Sequence, residues 1–273
     1  MADHIVAPAP WNLKARSWQF LVESTETKSA NFPAGWACSW QAETLAEGGE
    51  YIGGPAVVVL VRYSDTPVGP YDELGYSPGR FRYADGTVGF RTTIMLVSSQ
   101  ASTLNGRRNW NIPSQYLQCL EQLQKFNDGI EQVASFQYKS LSNGSWSLSV
   151  SEVGEESTPF FNVTVNPIPF ISKIPIPFNS GLFGSMFSYA QPPLPQGPLP
   201  EEVGTDKWAF FKPNTTGWLH LVNIIPEIVS KDEKRKKVVG NGINFPAVVP
   251  KGFGMCLEDM VIELGPSSWK DRV

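Results

Sequence analysis

The segment best equipped for chemistry is Asn105-Gly106-Arg107-Arg108-Asn109-Trp110-Asn111-Ile112-Pro113-Ser114-Gln115. It follows a strand-like run, holds two adjacent arginines, and leads through Ile112-Pro113 into a candidate helix. A loop in that place aims one guanidinium at whatever lies over the strand ends. Pairing of both arginines with surface carboxylates is the purely structural alternative. Other standard chemistry is missing. The chain has no phosphate loop of the GxGxxG or GxxxxGK[ST] type, no HExxH motif and no GxSxG elbow. Its histidines are His4 and His220, and its cysteines Cys38, Cys119 and Cys256 are widely spaced with no CxxC pair. Such a set suggests neither a zinc centre nor a disulfide framework, so no metal and no cofactor are expected. His220, between Trp218 and Val222 on a strand-like run, reads as a packed, hydrogen-bonded imidazole rather than a base.

The elements that must position these residues are mostly strands. Pro55 to Tyr63 (PAVVVLVRY) is the most apolar short run and predicts a strand buried on both faces. Asp85-Gly86 ahead of the run Phe90 to Ser98 predicts one hairpin, and Asn143-Gly144 between Val133–Lys139 and the alternating Trp146, Leu148, Val150 predicts another. Trp218 to Ile225 and Met255 to Leu264 predict two further strands. The one good helix signal begins at Pro113, with Leu117, Leu120, Leu123 and Phe126 recurring every three residues. Residues 159–204 are rich in proline, yet the gaps hold Phe, Ile, Leu and Met, which a solvated linker would not carry. This stretch predicts a long strap packed over one end of the domain, part of which lines or lids an apolar pocket.

Composition bounds the class. An apolar content of 41% with 18% charged residues excludes a disordered chain. The net charge of −4 gives no bulk attraction for nucleic acid, and KDEKRKK at 231–237 reads as a solvated hairpin tip or loop. No run approaches the ~20 apolar residues of a membrane helix, and the start has no signal-peptide core. We therefore expect a cytoplasmic protein, without membrane or nucleic-acid partners, forming one domain over residues 1–273. With 23 Pro, 24 Gly, 9 Trp and 16 Phe, many turns and large aromatics point to a mainly β, α+β barrel with one short helix.

GRRNWNIP resembles the GR-x-x-W-x-IP signature of the acetoacetate decarboxylase-like superfamily. Four further segments agree. APAPWNLKARSW is similar to the Pro-Trp-x-Leu-Lys opening of fungal members, and Tyr71-Asp72-Glu73 to their Tyr-x-Glu after a valine-rich strand. GINFPAVVPKGFGMCLEDMVIEL and FSYAQPPLPQG resemble their closing strands and Pro-Pro-Leu-Pro strap. The resemblance runs in order along nearly the whole chain. It implies a cone-shaped antiparallel β-barrel around a largely apolar pocket, and an assembly of copies is common in the family.

The family's decarboxylases carry a lysine directly after the motif's Ile-Pro, with a second lysine beside it. The adjacent cation depresses the amine's pKa so that it attacks a ketone as a Schiff-base nucleophile; acetoacetate decarboxylase is the standard case of this effect. Here those positions hold Ser114 and Gln115, which cannot form an imine. Lys139 or Lys212 would have to substitute without a neighbouring cation. By resemblance the pocket keeps Glu73 as one acid, Arg16 near the family's barrel arginine with Trp18 beside it, and Arg107 as the motif arginine, while the other acid falls at Val58. Trp11, Trp18, Tyr71 and Trp110, with Ser114 and Gln115, would shape the substrate site. A lone carboxylate in an apolar cavity has a raised pKa and can move protons, and arginine stabilises an enolate. A salt bridge from Glu73 to Arg80 is the structural alternative. The expected activity is a non-decarboxylating isomerase, cyclase or dehydratase acting on a hydrophobic carbonyl compound, such as a polyketide or terpenoid intermediate of fungal secondary metabolism. A non-catalytic barrel sheltering an apolar ligand and a decarboxylase with a relocated lysine are the alternatives.

Overall fold

The computed structural model describes residues 5–23, 36–115, 135–230 and 235–271. The main sheet has eleven strands: β1 (Trp11–Val22), β2 (Ala56–Asp65), β3 (Tyr71–Ser77), β4 (Ile94–Val97), β5 (Ser114–Gln115), β6 (Ser135–Ser140), β7 (Trp146–Ser151), β8 (Phe161–Pro167), β9 (Ile176–Asn179), β10 (Asn214–Pro226) and β11 (Pro250–Leu264). Their spatial order is β5-β4-β3-β2-β1-β11-β10-β8-β7-β6, with β9 also paired to β10. Pairing is antiparallel except between β4 and β5. A second sheet of six short strands, among them Tyr189–Gln191 and Trp208–Phe211, packs beside it. Two α-helices are described, the short α1 (Ala42–Ala46) and α2 (Gln100–Trp110). None is long and apolar enough to cross a membrane.

The main sheet is open rather than a closed barrel: among the described residues no ladder joins β5 to β6. It nevertheless curls until its β6 end meets the middle strands through side chains. Trp18 of β1 stacks on Tyr138 of β6 at 5.5 Å, and the Arg62 guanidinium of β2 lies 4.9 Å over the same ring. Trp18, Phe20, Val58, Leu60 and Leu74 from one half of the sheet and Leu148, Val150, Val163, Val165 and Val222 from the other share a single buried cluster. Aromatic and cation–π contact thus does here what a backbone ladder does in a barrel.

Both expected hairpins form. The Asn143-Gly144 turn joins β6 to β7 with φ of 62° and 74°, values that Asn and Gly tolerate. Asp85-Gly86 joins Arg80–Arg82 to Val88–Phe90, Gly86 having φ 83°. The run from Phe90 to Ser98 is not one strand, since Arg91–Thr93 breaks it between the two sheets. Nor is the strap free of ladder structure, as Phe161–Pro167 is strand β8. The helix expected after Pro113 falls largely at 116–134, outside the described residues; α2 instead precedes the proline. Ser99 caps α2 by accepting from the Ser102 amide, and Asn111 ends it in the left-handed conformation at φ 50°. The segment expected to be a loop around Arg107 is therefore helical.

Candidate active site

Strand geometry decides which residues share the site. Side chains alternate between faces, and registered partners on neighbouring strands share a face. One row across the sheet reads Gln19, Val59, Gly75, Met95, Ser114, and the next reads Ser17, Val61, Glu73, Val97. These rows lie on the face opposite the Trp18–Leu60–Leu74 core. The short strands and the strap cover that face and leave a partly enclosed cavity of about 170 Å³. Val57, Val59, Val61, Met95 and Ile112 line it from the sheet side, and Phe178, Phe187, Tyr189 and Phe211 from the cover. Gly75 keeps the floor open. A Cβ there would come within 2.9 Å of Val59 Cγ1 and 3.1 Å of Met95 Cε.

Glu73 projects into this cavity and is 9% exposed. Tyr63, from the neighbouring strand, also lines the cavity and donates its hydroxyl to Glu73 Oε2 at 3.0 Å. The ring of Tyr71 stacks on that of Tyr63 at 4.6 Å, and its hydroxyl joins the same carboxyl. Loss of water around the carboxylate pushes Glu73 up to about 7, and the two tyrosine hydrogen bonds oppose that rise. The same carboxylate, with burial as the larger cause, raises both phenols. Glu73 is thus close to half-protonated at neutral pH, the condition for giving or taking a proton. Arg80 forms no ion pair with it; its guanidinium lies over the Phe90 ring at 5.9 Å.

The two expected arginines are elsewhere. Arg16 faces the other side of β1, between the rings of Trp18 (5.1 Å) and Trp146 (4.9 Å), and pairs with Glu258 at 2.7 Å. It borders a separate groove with Arg62, Glu258 and Asp259. Arg107 is fully buried in α2 and donates Nε to the Val203 carbonyl at 2.8 Å and Nη1 to Gln41 Oε1 at 3.2 Å, with the Pro195 and Ser114 carbonyls as further acceptors. Burial pushes it down to about 10, opposed by the Glu202 carboxylate, so it remains a cation. Its partners are the Gln41 side chain and backbone carbonyls of the strap and β5, and it serves as an internal clasp.

The aromatic residues divide in the same way. Trp11 and Trp110 meet edge to face at 5.1 Å, and each donates its indole N–H to a backbone carbonyl, Ala7 and Gly265 respectively. Both are core residues outside the cavity, as is Trp18. Tyr71 reaches the site through Glu73. Val58, the expected place of the lost acid, is core, and its neighbours Val57 and Val59 line the cavity instead. His220 is hydrogen-bonded as expected, its Nδ1 2.8 Å from the Ser172 carbonyl and its Nε2 3.6 Å from Glu258. Sequence reasoning missed Tyr63, Gln19 and the Ser77–Thr92 pair. Tyr63 could have been found by counting every second residue along the strand from Val59, whereas Gln19 joins the row only through the pairing of β1 with β2.

Compared with solved structures, the chain aligns with acetoacetate decarboxylase from Legionella pneumophila over 96% of its length and 88% of that chain, at a TM-score of 0.57 and 12% identity. The fold is that of acetoacetate decarboxylase. An acetoacetate decarboxylase-like enzyme from Sphingomonas wittichii RW1 matches over 100% and 99% of the two chains (TM-score 0.52, 10% identity). The enduracididine biosynthesis enzyme MppR, complexed with pyruvate, matches over 98% and 93% (TM-score 0.51, 11% identity). No protein-family model matches the chain, and no curated protein matches it in sequence.

Within this acetoacetate decarboxylase fold, the positions where the resemblance puts paired lysines are Ser114 and Gln115 of β5, both buried. Ser114 is registered beside Met95 of the cavity wall, while its hydroxyl lies against Gly106 of α2. Among the described residues, no lysine or arginine lines the cavity. Lys139 and Lys212 are exposed.

Proposed function

We propose that the chain is a non-decarboxylating enzyme of the acetoacetate decarboxylase-like superfamily, an isomerase, dehydratase or cyclase that moves protons on a hydrophobic carbonyl compound. The observation that carries this reading is the Glu73 carboxyl, raised to a near-neutral pKa by burial in an apolar cavity and hydrogen-bonded by two tyrosines, with no amine or guanidinium on the described cavity wall. A carboxylate there takes the α-proton of a bound ketone. The enolate oxygen then forms beside the Tyr63 hydroxyl, and in a β,γ-unsaturated ketone Glu73 returns the proton at the γ-carbon, so that the double bond moves into conjugation without redox change. Pyruvate bound to one structural neighbour, itself a carbonyl compound, is consistent with this substrate class. A tailoring step on a polyketide or terpenoid in fungal secondary metabolism fits the resemblance of the opening and the strap. In such a substrate the reacting end occupies the cavity and the remainder leaves by its open side.

The test is exchange of the α-hydrogens of cyclohexanone in D2O, followed by NMR. Wild-type protein is expected to accelerate exchange, and Glu73→Gln to reduce it by about 10²-fold or more. Binding without exchange would favour the sheltering, non-catalytic alternative. Borohydride trapping of a β-keto acid on any lysine would show a Schiff-base decarboxylase instead.

A further inference from the structure

We infer that the cavity selects a ligand oxygenated at both ends: a carbonyl at Glu73, and a hydroxyl or second carbonyl oxygen at the Ser77–Thr92 pair, across an apolar middle. This deepens the acid/base reading and rests on it for the carbonyl end.

Glu73, Gly75 and Ser77 alternate on the cavity face of β3, so the polar residues at the two ends stand about 13 Å apart along the strand. The wall between them is Val57, Val59, Met95 and the bare Gly75. At the far end the Ser77 and Thr92 hydroxyls are 3.3 Å apart, on residues 8% and 6% exposed. Thr92 is fixed in place, since its amide donates to Gln191 Oε1 at 2.8 Å and its carbonyl accepts from Gln191 Nε2 at 3.0 Å. Two hydroxyls own two hydrogens, and the bond between them uses one. Among the described residues neither hydroxyl has another side-chain or backbone partner, so the second hydrogen is left for the cavity in front of it. Once a ligand fills the cavity, a donor left without an acceptor there is costly, and a ligand oxygen in that place removes the cost. The size agrees with a single ring. About 170 Å³ is close to the roughly 150 Å³ of an engineered apolar cavity that takes benzene. A six-membered ring with its carbonyl at one end and an oxygen across the ring spans the two poles.

The experiment compares 4-hydroxycyclohexanone with 4-methylcyclohexanone, which differ in one oxygen at nearly equal size. Dissociation constants are measured by calorimetry on the Glu73→Gln protein, which does not turn the ketone over, and on the same protein carrying Ser77→Ala and Thr92→Val. We expect the hydroxy ketone to bind about fivefold to tenfold more tightly than the methyl compound, and the preference to vanish in the Ser77/Thr92 variant while methylcyclohexanone binding holds. Equal affinities, no binding of either, or a preference that survives the substitutions overturns the inference. Ser77→Ala with Thr92→Ala, which also removes both hydroxyls, supplies the same comparison if the combined variant does not fold. Failure of the acid/base reading shows differently, as ketone exchange that Glu73→Gln leaves untouched while the oxygen preference persists.

Discussion

The Tyr63 hydroxyl and Glu73 Oε2, ten residues apart in the chain, meet at 3.0 Å because their strands pair with Val61 opposite Glu73 and Tyr63 opposite Tyr71. This diagonal across an antiparallel ladder lets a long aromatic side chain reach the neighbouring row. The hydrogen bond favours the ionised carboxylate, so it holds the Glu73 pKa below where burial alone would put it. Tyr63→Phe is therefore expected to raise the Glu73 pKa further, by about one unit. Infrared titration of the protonated carboxyl band checks this, with Glu73→Gln as the assignment control. A fall in pKa would mean that the phenol is not the group opposing desolvation.

The same carboxyl makes stability depend on pH in an unusual direction for an acid. Its folded pKa of about 7 lies above the ordinary 4.5, so the folded protein holds this proton more tightly than the unfolded chain. The contribution is fully present below about pH 4.5 and is lost as pH rises through 7. Between those limits the loss amounts to roughly 3 kcal/mol. Glu73→Gln removes the titration. It should be more stable than wild type at pH 8 in urea unfolding, and the gap should shrink steadily toward pH 5.

Arg107 is expected to matter to folding rather than to chemistry. Its guanidinium ties α2 to the strap through the Val203 and Pro195 carbonyls and touches the Ser114 carbonyl of β5. Removing it strands several buried acceptors. Arg107→Ala should cost about 3 kcal/mol or more in denaturant unfolding, and Arg107→Lys should not restore it, because an ammonium cannot span the same fork. Ketone binding by whatever fraction remains folded should be unchanged. Loss of binding at unaltered stability would put this arginine back into the site.

What the sequence showed of the site, and what it hid, follows from the period of two. Glu73 was legible because Tyr71-Asp72-Glu73 resembles the family's Tyr-x-Glu after a valine-rich strand. Arg16 and Val58 were assigned by offset along longer strands, where an error of one residue turns the side chain to the opposite face. The ladder between β1 and β11 shifts register between Ala15 and Ser17, which adds such an error beside Arg16. The in-phase residues are Ser17 and Gln19 on β1, and Val57 and Val59 on β2. Strand content and both hairpins were readable from local patterns. The open curl of the sheet was not, since it depends on Trp18 and Arg62 of the central strands meeting Tyr138 at the β6 end. Helix α2 was hidden because its sequence, QASTLNGRRNW, has no apolar stripe; only the Ser99 cap and the Asn111–Pro113 stop mark it.

The row Gln19–Val59–Gly75–Met95–Ser114 yields a gain-of-function test for the position of the missing amine. Ser114 shares the cavity face with Met95, but its side chain is too short to pass it and rests against Gly106. A lysine here has about three more carbons of reach and would bring its amine beside Met95, toward Glu73. Burial would depress the amine's pKa and the carboxylate would raise it. In the Ser114→Lys protein, borohydride with acetoacetate or cyclohexanone is expected to trap an adduct on the introduced amine, as read by peptide mass spectrometry, while wild type is not trapped. If the variant folds and stays untrapped, β5 does not present this position to the cavity, and the separation of the chain from Schiff-base chemistry rests on more than one side chain.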